Sequence, residues 1–359
     1  MSRLQNLRQR LAERELDALL ISQAENRRYL SGFTGSAGFL LVTAEDAILA
    51  TDFRYVEQAE TQAPDFKVSQ TKGEFTQWLL PMVSDLGARM LGFESNDLSF
   101  ATYRQLVEAA SMNDIQLIPT EGMVESLRPI KEDKELELIT RAARLADAAI
   151  EHIISKVSPG MKERDVAWQI ERFLRENGSE GIPFDVIVAS GPNSALPHAE
   201  PTERILSPGE PIVIDLGARL GGYCSDMTRT ICLGSPDETF SKIYDLVLGA
   251  QLTAIATIGV GMNSEMADKM GRVVIEQGGY GDAFGHGLGH GVGLAVHEEP
   301  YLGPRASTVL ADGMVFTIEP GIYVKGWGGV RIEDTVTLGK EGVKVLTRAE
   351  KIAGRKKER

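Results

Sequence analysis

The sequence predicts an α+β protein of two domains, and three observations carry that prediction. Residues 1–124 alternate short apolar strands with amphipathic helices, the pattern of an α/β layer structure. Pro119, Gly122 and Pro129 then punctuate a boundary near 119–133. Beyond it, over about 131–350, one order of elements, helix–helix–strand–strand, occurs twice.

In the first region, Leu4, Leu7 and Leu11 mark one face of an opening helix. Residues 18–22 form a short apolar strand, and 26–30 a helical turn running into a glycine-bearing loop. Residues 39–42 and 47–51 form a hairpin. Helices are expected at 53–61, 74–85 and 99–110, and strands at 90–93 and 115–118. No catalytic cluster is visible here. Asp52 and Arg54 are the best polar candidates, and a structural pair is the expected role.

In the second region, a charged start at Lys131 opens a long helix that Ser158-Pro-Gly160 stops. A helix at 163–176 and a strand at 186–189 follow, then strands at 211–216 and 223–231. The order returns with helices at 239–258 and 264–277 and strands at 314–319 and 329–338. Ser207-Pro-Gly-Glu before the first strand pair has an analogue in Ala311-Asp-Gly-Met before the second. Pseudo-symmetric halves would place a site at their shared sheet. The end, from Gly354, reads as a solvated basic tail.

A length of 359 residues suits two domains. The net charge of −13 argues against a nucleic-acid partner, whose footprint would be basic. No apolar run is long enough for a membrane span, and the polar N-terminus lacks a signal-peptide core. Two cysteines, Cys224 and Cys232, make no disulfide framework, so reduced thiols in a cytoplasmic protein are expected.

The chemistry concentrates in residues 284–298, which hold three of the five histidines in the chain, His286, His290 and His297. Glycines interleave the first two, which lets backbone or ligand come close. The apolar run from Val292 to Val296 reads as a buried strand. A glycine-rich loop with incidental histidines is the plainer alternative. The acids elsewhere in the chain count against it.

Asp215 ends the apolar strand Pro211-Ile-Val-Ile-Asp215, and Asp226 follows across a glycine-bearing turn. A two-residue loop at Leu220 and Gly221 would set the two acids directly opposite on one face. Glu319 and Glu333 stand symmetrically about Gly326, so a second hairpin would do the same. Facing carboxylates repel, and burying them costs more, unless a cation compensates. Oxygen-dominated protein ligands with imidazole available suit two divalent ions. Surface hairpins with solvated acids are the alternative, and the apolar residues before each acid oppose it.

These residues bring the chain to a family. It resembles the proline-specific metallopeptidases of the pita-bread fold, the Xaa-Pro aminopeptidases and Xaa-Pro dipeptidases (prolidases). Residues 131–350 resemble the catalytic domain. Residues 1–124 resemble the creatinase-type N-terminal domain, including Arg28-Tyr-Leu-Ser-Gly-Phe and Thr51-Asp-Phe-Arg-Tyr. The run from His286 to Glu298 is similar to the proline-peptidase signature at each position compared.

The resemblance implies metal ligands Asp215, Asp226, His290, Glu319 and Glu333. It implies substrate contacts at His198 and His297 and, specific to the proline peptidases, at His286. Arg331, two residues before Glu333, shares its strand face. Bracing of the acidic ligands is its expected role, with substrate-carboxylate binding as an alternative. Manganese is the expected metal, with cobalt, zinc and iron compatible. Glu319 would shuttle a proton to the leaving nitrogen, while His198 and His297 steady the reacting amide. The implied substrates are short peptides with proline second, and the implied assembly is a homodimer.

A methionine-type or broader aminopeptidase shares the five ligands, but usually lacks an N-terminal domain of this kind and the first histidine. A creatinase-like amidinohydrolase shares both domains without the ligands. A metal-free binding protein on the scaffold is opposed by the intact ligand set.

Overall fold

The computed structural model describes residues 2–351, so the basic end from Gly354 lies outside the described residues. The chain forms two compact units that divide between Arg128 and Pro129.

The first unit runs α1 (Arg3–Glu13), β1 (Ala18–Ile21), α2 (Ala24–Ser31), β2 (Phe39–Thr43), β3 (Ala47–Thr51) and α3 (Val56–Gln62). It continues with β4 (Lys67–Gln70), α4 (Phe75–Asp85), β5 (Met90–Glu94), α5 (Phe100–Ser111) and β6 (Gln116–Thr120). The six strands form one mixed sheet in the order β4-β3-β2-β1-β5-β6. Leu20, Leu41, Leu91 and Phe93 from the strands pack on Leu79, Val83 and Leu106 from α4 and α5.

Two expectations change here. The expected helix at 53–61 starts only at Val56, because Asp52 accepts from the Arg54 amide and holds 52–55 as a turn. The half-exposed edge strand β4 carries no apolar alternation, so periodicity does not reveal it. Asp52 and Arg54 do pair, at 2.7 Å and in solvent.

The second unit opens with α6 (Asp133–Lys156) and α7 (Glu163–Glu176). Then come β7 (Ile187–Ser190), β8 (Pro211–Leu216), β9 (Arg219–Leu220), β10 (Tyr223–Cys224) and β11 (Met227–Cys232). The second half follows with α8 (Glu238–Thr257), α9 (Ser264–Gln277), β12 (Gly289–Gly291), β13 (Glu298–Leu302) and β14 (Val315–Ile318). Four strands complete it: β15 (Gly321–Val324), β16 (Gly328–Arg331), β17 (Asp334–Gly339) and β18 (Gly342–Val345).

Each half packs its helices on its own sheet. Ile150 and Ile170 of α6 and α7 cover Ile212 and Ile214 of β8. Val247 and Ile275 of α8 and α9 cover Phe316 and Val336 of β14 and β17. A seam joins the halves: the Glu333 amide donates to the Thr228 carbonyl at 3.1 Å, and the Arg331 amide to Thr230 Oγ1 at 3.0 Å.

Four strand expectations are corrected. Residues 292–297 are an irregular loop rather than a strand, with Val292 and Leu294 buried and the Gly293 amide turned onto the Ala295 carbonyl. The apolar run is therefore core-facing loop, and the strands flank it as β12 and β13. The expected strand at 223–231 breaks at Ser225–Asp226, and those at 314–319 and 329–338 break beside Glu319 and Glu333. Three of the four acids thus stand at breaks in the ladder.

Candidate active site

The first hairpin turns at Gly221–Gly222, both with positive φ (56° and 83°), rather than at Leu220–Gly221. This shifts the register: Asp215 pairs with Thr228, and Leu216 with Met227. Asp226 is therefore diagonal to Asp215, two residues from the partner, and still on the same face. The second hairpin keeps the register read from Gly326. Ile318 pairs with Asp334 and Gly321 with Arg331, so Glu319 faces Glu333 across the break.

Four carboxylates from these hairpins and one imidazole from β12 converge. His290 Nε2 lies 3.2 Å from Glu319 Oε1 and 3.6 Å from Asp226 Oδ2. Donor atoms of Asp226, His290 and Glu333 all fall within 4.8 Å of one another. Asp215 Oδ1 and Asp226 Oδ1 are buried with no hydrogen-bond partner. A buried acceptor left unpaired is costly. Burial, then repulsion from Glu333, Asp215 and Glu319, pushes the Asp226 carboxyl well above the usual carboxylate range. Burial and the charges of Glu319 and Asp215 do the same to Glu333. Burial also works against the Glu319 charge, but the hydrogen bond and charge of His290 outweigh it and hold Glu319 at about 2. Oxygen donors with orphaned lone pairs, plus one imidazole, fit hard or borderline divalent cations.

The imidazoles are oriented by their second nitrogens. His290 Nδ1 lies 3.1 Å from the Gly291 carbonyl, which can only accept. Nδ1 therefore carries a proton, and Nε2 faces the acids, donating to Glu319 when the ring is charged and offering its lone pair when it is neutral. Gly289, just before it, is pressed so closely on the Thr317 backbone that a Cβ could not fit. His286 repeats the device, with Nδ1 on the Gly287 carbonyl at 2.8 Å and Nε2 accepting from Tyr323 Oη at 2.9 Å. Burial pulls the His286 pKa down, in keeping with the neutral ring.

Arg331 is buried, and its guanidinium is committed to protein partners. Nη2 donates to Asp215 Oδ2 at 2.7 Å, Nε to Thr228 Oγ1 at 3.0 Å, and Nη1 to Tyr323 Oη and the Pro197 carbonyl. This geometry supports bracing of the acids and does not favour the alternative of substrate-carboxylate binding. His198 and His297 are exposed toward a cleft of about 500 Å³ that all five acid and imidazole donors also line. The ring of His297 meets that of His290 at 4.3 Å. The structure thus brings His198, Asp215, Asp226, His286, His290, His297, Glu319, Arg331 and Glu333 to one cleft.

Residues 137–340 match metallopeptidase family M24, and residues 3–130 match the creatinase/prolidase N-terminal domain. The chain belongs to metallopeptidase family M24. The chain is 38% identical to an Xaa-Pro dipeptidase from Pyrococcus horikoshii, covering 94% of each chain. It superposes with a TM-score of 0.95 on an Xaa-Pro dipeptidase from Bacillus anthracis, at 43% identity over 98% of each chain. An X-Pro aminopeptidase from Thermotoga maritima superposes at 0.87, with 36% identity over 96% of this chain and 99% of the other. An M24 pita-bread domain behind a creatinase-type domain is therefore the architecture, and the family implies divalent metal cofactors.

This M24 site includes residues that motif reading passed over. Thr228 donates to Glu333 Oε2 at 2.6 Å, Thr317 to Glu319 Oε1 at 2.9 Å, and Tyr323 bridges Arg331 to His286. Strand parity offers a signal for all three. Thr228 is two residues after Asp226, Thr317 two before Glu319, and Tyr323 four after it. Phe184, Asp185, Glu200 and Tyr301 of the cleft wall lie on connecting segments or strand ends and carry no such signal.

Proposed function

We propose that this M24 peptidase is a proline-specific exopeptidase that hydrolyses the Xaa-Pro bond at the N-terminus of short peptides or in dipeptides. Residues 131–350 carry the reaction. The observation behind this reading is the convergence of five donor side chains, two with orphaned buried oxygens, beside three histidines in one cleft. The substrate class follows from the Xaa-Pro dipeptidases and the X-Pro aminopeptidase that the chain resembles over nearly its full length.

Asp215, Asp226, His290, Glu319 and Glu333 would hold two divalent ions, with manganese as the preferred metal. When bound, the ions would supply a water activated as nucleophile and polarise the scissile carbonyl. Glu319, also one of the proposed ligands, would hold a proton on its carboxylate and deliver it to the leaving proline nitrogen. His198 and His297 donate hydrogen bonds to the charge that develops on the amide. An Xaa-Pro bond has no N–H to grip, so recognition falls on the rigid ring and the free amino terminus. Arg331 holds Asp215 in place while Tyr323 fixes His286 on the cleft wall. A homodimer is the proposed assembly, and the two buried free thiols suit a reducing cytoplasm. No helix among the described residues is long and apolar enough to cross a membrane.

The test compares Ala-Pro-Ala with Ala-Ala-Ala and with N-acetylated Ala-Pro-Ala, using metal-loaded protein. Ala-Pro-Ala alone should be cleaved rapidly. Equal cleavage of Ala-Ala-Ala would replace the reading with a methionine-type or broader aminopeptidase.

A further inference from the structure

The signature ends on Glu298, a buried acid that is not among the residues lining the cleft and has no part in the chemistry above. Its partner is Lys131, just inside the second unit. Lys131 Nζ meets Glu298 Oε1 at 2.8 Å, with the two side chains 1% and 7% exposed. A fully buried ion pair is a poor way to gain stability, because both charges lose their water. What such a pair does well is fix a geometry.

The geometry here is that of the loop carrying His297. Glu298 begins β13 and pairs through its backbone with Gly291, immediately after the ligand candidate His290. Its second oxygen, Oε2, accepts from the Ala295 amide at 3.4 Å. Gly293 lies against the same carboxylate, where a Cβ would collide with it. From the other side, the Cys224 amide donates to the Gly293 carbonyl at 2.8 Å, two residues before Asp226. The loop 292–297 is thus clamped between the Asp226 hairpin and the Lys131–Glu298 pair. His297 ends this loop, and its ring is placed by that backbone and by the ring of His290.

We propose that Lys131 is a positioning residue for His297, acting through the Glu298 carboxylate. The ammonium holds the carboxylate, the carboxylate holds the loop, and the loop aims the imidazole into the cleft. The part concerning catalysis rests on the proposed peptidase reading. The part concerning the loop does not.

The test uses the full-length protein with Lys131→Met, Lys131→Arg and Glu298→Gln, each also made in a His297→Ala background. Lys131→Met should raise amide hydrogen exchange at residues 292–297 while that of α6 and α8 stays unchanged. On Ala-Pro-Ala its kcat should fall about tenfold or more, with KM changing less, as a small misplacement of a catalytic group does. Lys131→Arg should restore most of that kcat. In the His297→Ala background the Lys131→Met loss should vanish, because the residue through which it acts is gone. Unchanged exchange over 292–297, or an equal loss of kcat with and without His297, overturns the proposal. If Lys131→Met does not fold, Glu298→Gln, which keeps shape and removes charge, is read by the same two measurements. If the wild-type protein leaves Xaa-Pro peptides intact, the peptidase reading fails while the exchange result still decides the clamp.

Discussion

Two buried carboxylates, one in each unit, show how differently the same group can be used. Glu94, at the end of β5, accepts from the Ser22 and Gln23 amides and the Ser22 hydroxyl on Oε2, and from Asn26 on Oε1. It closes the start of α2, and both of its oxygens are satisfied within the chain. Asp226 is as deeply buried, yet its Oδ1 has no partner, and three further acids face it. Burial alone therefore does not mark a functional acid. The mark is an acid whose lone pairs the fold leaves open and aims at other open lone pairs.

The sharpest way to break this comparison is to remove an open acid. Glu333→Ala should lower bound metal and reduce kcat/KM on Ala-Pro-Ala by several kcal/mol, about 10³-fold or more. Elemental analysis beside kinetics checks it, and full activity after exhaustive chelation would defeat the metal assignment.

The next effect separates ligands from their neighbours. His198→Ala and His297→Ala should each keep the metal and lose about 10²–10³ in kcat, the usual cost of a lost hydrogen-bond donor to the reacting centre. A large fall in metal content in either variant would move that histidine into the ligand set.

A smaller effect compares the two acids directly. At a metal concentration about 100-fold above Kd, binding should stabilise the protein by about 2.7 kcal/mol, a thermal shift of several degrees. Glu94→Gln should retain that shift, and Asp226→Asn should lose it. Differential scanning fluorimetry with and without manganese distinguishes them.

The smallest effect belongs to Glu94. Burial pushes its carboxyl up to about 7, against the pull of the amides and Asn26. The folded state then holds its proton more tightly than the unfolded chain does. Its contribution is complete below the ordinary glutamate range and is lost as pH rises through about 7. Urea unfolding between pH 4.5 and 8 should show the first unit weakening by a few kcal/mol at most. A slope that persists in Glu94→Gln would assign the effect elsewhere.

The sequence by itself determined the kinds of elements and the identity of the acids and histidines. The apolar strands before Asp215 and Glu319 and the local enrichment of histidine are chemical facts of the chain, and no tertiary contact is needed to see them. The centre of the second hairpin was legible too, because one glycine stands midway between two acids. The first hairpin was not, since Leu220-Gly221 and Gly221-Gly222 both make plausible two-residue turns. Only the left-handed pair of glycines and the strand partners select the second, moving Asp226 to the diagonal. The run at 292–296 misled for a related reason: burial makes a segment apolar whether or not it pairs with a neighbour, and pairing is a property of the partner. What the tertiary structure decided was which lone pairs stay open. Thr228, Arg331 and Tyr323 take up some of the site's hydrogen-bonding capacity from distant positions, and Lys131 reaches Glu298 across most of the second unit. Satisfaction of a buried polar group is a three-dimensional sum over neighbours, and residue order alone does not carry it.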